Sequence, residues 1–131
     1  MSTRTLSILQ WFGVLGGALA WTAQHVVGYG IGEAKCVAGG MGWGISYDTW
    51  QLAALGAAGL IVVLAEVCAA VVFLRTRGAN DGDGPLEDVG EVRIDRLHFF
   101  ATAALVANVL FLAIPLMSSL AGVTAVICAQ S

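Results

Sequence analysis

Residues 7–27 read SILQWFGVLGGALAWTAQHVV, apolar almost throughout and without one formal charge. Coiled as a helix, such a run reaches about 30 Å, the thickness of a bilayer's hydrocarbon core. It predicts a membrane-spanning helix over about residues 5–29, with Thr3 or Thr5 placed to cap its start. Arg4 ahead of it and Ala18-Leu19-Ala20 inside it resemble a secretory leader with a cleavage site. The apolar run continues to Val27, too long for a leader's core, so the segment reads as a retained signal anchor.

Two more runs of the same kind follow, over about residues 49–75 and 96–127. The chain has 131 residues, 58% hydrophobic and 11% charged, which no ordinary water-soluble domain matches. The expected architecture is all-α: one integral membrane domain with three transmembrane helices, and no room beside them for a soluble catalytic domain. A Gly-rich outer loop fills 30–48, containing Glu33, Lys35 and Cys36. Trp11, Trp21 and Tyr29 are placed as interfacial aromatics. Asp48 followed by Gln51 has the spacing of a variant capping box for the second helix.

A polar loop covers 76–95, holding GANDGDGPLE at 78–87, and Asp88 with Glu91 can cap an early start of the third helix. That helix is longer than one crossing needs, and Pro115 removes one of its hydrogen bonds, so it is expected to be long and kinked there. The alternative is a break at Pro115, with 117–128 re-entrant or interfacial. Five of the six basic residues, Arg4, Arg75, Arg77, Arg93 and Arg96, share one side under three crossings, and only Lys35 takes the other. The positive-inside rule then places the N-terminus in the cytoplasm and the C-terminus outside.

Under this topology Cys36 and Cys128 both lie outside, where a disulfide between them would persist. Cys68 reads as a small packing residue inside the second span. Gly13 and Gly17 form a GxxxG pair, and Ala58 and Gly59 offer a second small surface for close helix packing. Glu66 is the one acid deep in a span, where a charge costs about 2.5–3.5 kcal/mol or more. Residue counting puts Asn108 at a similar depth, so Glu66 is expected neutral and hydrogen-bonded to Asn108 or to a neighbouring subunit. The sharper alternative is a proton-relay carboxylate.

His25 lies on a polar stripe with Trp21, Thr22 and Tyr29 near the outer interface, and His98 begins the third span at the inner one, snorkelling beside Arg96. A bis-histidine haem needs both ligands at one depth, so these two cannot form one alone. A haem or metal shared with a partner's residue is the remaining version of that idea. No metal-site spacing, nucleophile elbow, phosphate loop or paired-carboxylate motif appears, and no basic block suggests nucleic acid. The expectation is a protein that is not an enzyme, with no catalytic residue, metal or cofactor of its own.

The run Trp21…His25…Tyr29…Cys36, with a later second cysteine, resembles small bacterial membrane proteins that accompany haem–copper terminal oxidases. The similar positions cover about sixteen residues of the chain. The resemblance implies an accessory role in a respiratory complex, with structural cysteines and no catalytic residue. The functional expectation is therefore a non-catalytic accessory subunit of a larger complex in the bacterial cytoplasmic membrane, its partners being other membrane subunits and lipid. A small oligomeric transporter or proton conductor built on Glu66, and an electron-transfer subunit sharing a ligand with a partner, are the alternatives.

Overall fold

The computed structural model describes residues 3–36, 46–77 and 91–124. They form three helices: α1 (Thr3–Cys36), α2 (Tyr47–Arg77) and α3 (Glu91–Thr124). Each contains a segment long and apolar enough to cross a bilayer: Arg4–Ala34, Thr49–Arg77 and Ile94–Ile114.

The helices meet along seams with a seven-residue rhythm. In α2 the buried positions are Ala58, Val62, Ala65, Ala69, Val72 and Thr76, spaced alternately by four and three. In α1 the same rhythm runs through Leu6, Gln10, Gly13, Gly17 and Ala20, and in α3 through Ile94, Leu97, Ala101, Ala104 and Asn108. A 3.5-residue repeat keeps each seam turned toward its neighbours over several turns. The seams are built mostly from Gly, Ala and Val. In lipid, apolar surface gains little by leaving its solvent, so small side chains that let backbones approach supply the packing energy.

The contacts fix helix direction. At one end Leu6 of α1, Val72 of α2, and Leu97 and Ala101 of α3 form a cluster, with Leu9 and Phe73 packed against it. Toward the other end Ala20, Ala58 and Val62 form a second cluster, covered by Leu112. Thus α1 and α3 run parallel and α2 runs antiparallel to both. The outward surface is lined by large apolar side chains, among them Ile8, Leu19, Leu60, Val106 and Leu110.

The helix ends differ from the sequence expectation. α1 does not stop at Tyr29 but continues through Gly30 and Gly32 to Cys36, so Glu33 and Lys35 are helical. Glycine weakens a helix without ending it. Here Ile31 is buried, and the Gln51 side chain donates to the Gly28 carbonyl at 3.3 Å, so tertiary contacts carry the helix onward. Gln51 thus reaches α1, and the expected capping box with Asp48 rests on a side chain outside those described.

The cap of α2 is Ser46. Its hydroxyl accepts from the Thr49 amide at 3.3 Å and lies 2.7 Å from the Thr49 hydroxyl. Ser46→Ala is expected to destabilise the start of α2 by about 0.5–2 kcal/mol. Faster amide exchange at Thr49, with no change at Ala65, would report it. Unchanged exchange at Thr49 would contradict the assignment. α2 ends at Arg77, and α3 is helical on both sides of Pro115, so the break considered there is not formed.

Candidate polar sites of the bundle

Asn108 is the most deeply buried polar side chain in the middle of the bundle, 1% exposed. Its amide nitrogen donates to the Gly13 carbonyl of α1 at 3.0 Å. Its oxygen receives no hydrogen bond and occupies the space where a Gly17 side chain would start. Asn108 therefore straddles the GxxxG pair. Gly13 itself faces α2, where an added Cβ would stand 3.2 Å from the Ala69 backbone nitrogen, and Gly16 faces Ala65 at 3.1 Å. The three glycines let α1 nest against both neighbours at once. An interhelical hydrogen bond in lipid is worth about 0.6 kcal/mol on average, so close packing stabilises this junction more than the bond does.

Glu66 is not bonded to Asn108, the first of its two expected partners. One carboxylate oxygen, Oε2, is buried and has no hydrogen-bond partner. The depth expectation fits the packing: the Thr76–His98 contact and the seating of Leu112 on the Val62 cluster set the antiparallel register of α2 and α3, which brings Glu66 level with Asn108. Rotation about the helix explains the missing bond. Asn108 is turned toward α1, whereas Glu66 lies on the flank of α2, one position beyond the seam residue Ala65. The whole residue is half-buried.

Ala58 is buried in the seam as expected, whereas Gly59 takes no part in the packing among the described residues: a Cβ added there would meet nothing within 4 Å. Gly59 lies on the Glu66 side of α2, away from the contacts with α1.

His98 does not reach for headgroups. Its ring stacks on Phe73 of α2, with centroids 4.7 Å apart, and its Nδ1 lies 3.0 Å from the buried Thr76 hydroxyl. That hydroxyl has one proton, directed at the Val72 and Phe73 carbonyls at 2.9 and 3.1 Å. With that proton given to a backbone carbonyl, the hydroxyl accepts and Nδ1–H of His98 donates. In the neutral ring Nε2 is left as the lone-pair nitrogen. Nitrogen NMR above about pH 7.5, where an ordinary histidine is neutral, is expected to show the Nδ1-protonated tautomer. Thr76→Val is expected to release the ring to exchange between tautomers. An Nε2-protonated ring in the unmodified protein would refute this.

Toward the other end, Trp21 is half-buried between His25, at 5.2 Å, and Phe111 of α3, at 6.0 Å. It thus packs against α3 as well as against its own helix. Its indole N–H and the Gln24 carbonyl oxygen are both buried without partners. His25 and Tyr29 are exposed. His25 and His98 lie in opposite halves of the bundle and are not brought together. Among the described residues no group of three or more His, Cys, Asp or Glu side chains could hold a metal ion. The Cys36–Cys128 pairing falls outside the described residues, since Cys128 is among those not described.

Sequence reasoning missed Gln10 and Thr76, both buried in the seams. The signal was available: Gln10 stands four residues after Leu6 and three before Gly13, and Thr76 continues the four-three rhythm of α2.

Taken together, fold and polar seams define a multi-pass membrane protein, a three-helix bundle with buried polar groups at several depths. No protein-family model, curated protein or solved structure matches the chain.

Proposed function

We propose that this protein is a non-catalytic accessory subunit of a larger complex in the bacterial cytoplasmic membrane, of the respiratory, oxidase type. In this reading the N-terminus and the Arg75–Arg96 segment face the cytoplasm, α3 bends at Pro115, and the C-terminus lies outside. A Cys36–Cys128 bridge ties the outer end. The protein has no cofactor of its own.

Glu66 carries the reading. A carboxyl at mid-bilayer is costly without a partner. Its buried oxygen has none among the described residues, and Asn108 is committed to α1. A third or less of each apolar span is buried within the bundle, which leaves wide helix faces for neighbours. Purification in a mild detergent is expected to bring down other membrane subunits in fixed stoichiometry. A stable, monodisperse lone protomer would overturn the proposal.

A second reading has one observation in its favour. Gln10, Thr76 and His98 lie on one side of the Glu66 level and Gln24 on the other, so polar groups recur along the bundle. An oligomer conducting protons through Glu66 would use them. Proton flux into liposomes that Glu66→Gln abolishes would favour it, and no flux from the unmodified protein would end it.

A further inference from the structure

We infer that the α2 face around Glu66 receives a transmembrane helix of another protein, and that this helix carries a Lys, Arg or His side chain at mid-bilayer. The inference rests on the accessory-subunit reading and names the chemistry of the partner.

Three observations lead to it. Glu66 is half-buried with an unpartnered buried oxygen. No described cation stands at its depth: Arg75 and Arg77 close the end of α2, nine or more residues on, about 14 Å or more along the axis. The described residues therefore lack the donor that this carboxyl calls for.

The same side of α2 is also unusually bare. Gly59 lies two turns before Glu66, and Gly56 nearly three; an added Cβ at either meets nothing within 4 Å. The glycines that α1 packs with its neighbours, Gly13, Gly16 and Gly17, behave in the opposite way. Gly59 and Gly56 are thus unused by the bundle's own packing, and exposed Leu60, Val63 and Val67 border them. Such a strip lets an incoming backbone approach closely.

Charge decides between occupants. A second copy of this chain packed through the same face brings only another Glu66 to that depth, because its other described acids and bases, His25 and His98 included, lie two or more turns away along the helices. A basic side chain on a foreign helix supplies the donor and balances the charge.

The test uses the complex purified in mild detergent, with four variants. Glu66→Leu removes the acceptor with a bilayer-compatible side chain. Gly59→Leu fills the bare strip without touching the bundle. Gly59→Cys and, as a control on α1, Leu19→Cys carry a photoactivatable crosslinker. Both leucine variants are expected to weaken retention of the partner about thirtyfold or more, as loss of one member of a desolvated charge pair does. The probe at position 59, and not at 19, is expected to mark a partner span with a Lys, Arg or His near its middle.

Partners retained equally by both leucine variants would overturn the inference and leave the subunit reading standing. So would a crosslinked span without a basic residue. Crosslinks only to a second copy would overturn it in favour of self-assembly. No partner with the unmodified protein would remove both proposals.

Discussion

Gly17→Ala is expected to destabilise the bundle by about 1–3 kcal/mol, and Asn108→Ala in the same chain to restore most of that loss. The single methyl would enter the space already filled by the Asn108 oxygen, with the Asn108 Cγ at 3.2 Å and a Phe111 ring carbon at 3.4 Å. Asn108 cannot easily turn away, because its amide nitrogen is held by the Gly13 carbonyl. Alone, Asn108→Ala forfeits that hydrogen bond, worth about 0.6 kcal/mol and at most about 1.7. In the double variant the new methyl occupies what the shortened side chain vacates. The two changes should therefore be strongly non-additive. Reversible unfolding in mixed detergent micelles, followed by tryptophan fluorescence, measures the cycle. Additive losses would mean that Asn108 does not bracket the glycine pair.

Gly13→Leu is expected to abolish the folded bundle, whereas Gly59→Leu leaves its stability unchanged within about 0.5 kcal/mol. The contrast follows from what each new side chain meets. At position 13 a Cβ alone stands 3.2–3.3 Å from the nitrogen, Cα and Cβ of Ala69. Those are mostly backbone atoms within a regular helix, so relief requires moving α1 away from α2 as a whole. That separation also breaks the Asn108 contact and opens the neighbouring Gly16–Ala65 approach. At position 59 there is open space, and leucine is a better helix former than glycine. Size-exclusion profiles and protease resistance in the same detergent distinguish the two outcomes. Equal damage from both would mean that the seam has been assigned to the wrong face of α2.

The spans were legible because length and apolarity alone dictate a bilayer crossing, and Gly13, Gly17 and Ala58 were legible as packing positions because small residues at helical spacing have few other uses in lipid. The helix ends were harder. A run of glycines reads as a stop, and only the burial of Ile31 and the reach of Gln51 explain why α1 passes Gly28 and Gly30. Ser46 was passed over as a cap because Asp48, two residues on, has capping-box spacing to Gln51, whereas the role of Ser46 shows only in its contact with the Thr49 amide. Gly59 adjoins Ala58 yet takes no part in the packing of the three described helices. One position along a helix turns a residue by about 100°, enough to leave a seam. The same rotation separates Glu66 from Asn108. Depth could be counted along the chain, but direction required the register of all three helices.

The continuous run of α1 has a consequence for the membrane surface at its C-terminal end. At 34 residues it is about 51 Å long, some 20 Å more than the oily layer it crosses. Even tilted, its last turns stand among or above the headgroups as a short rigid post, bearing Glu33 and Lys35 near its tip. A water-soluble domain of a neighbouring protein would meet this post before it met the lipid. The side of the membrane with the fewest basic residues would then hold the first handhold for assembly.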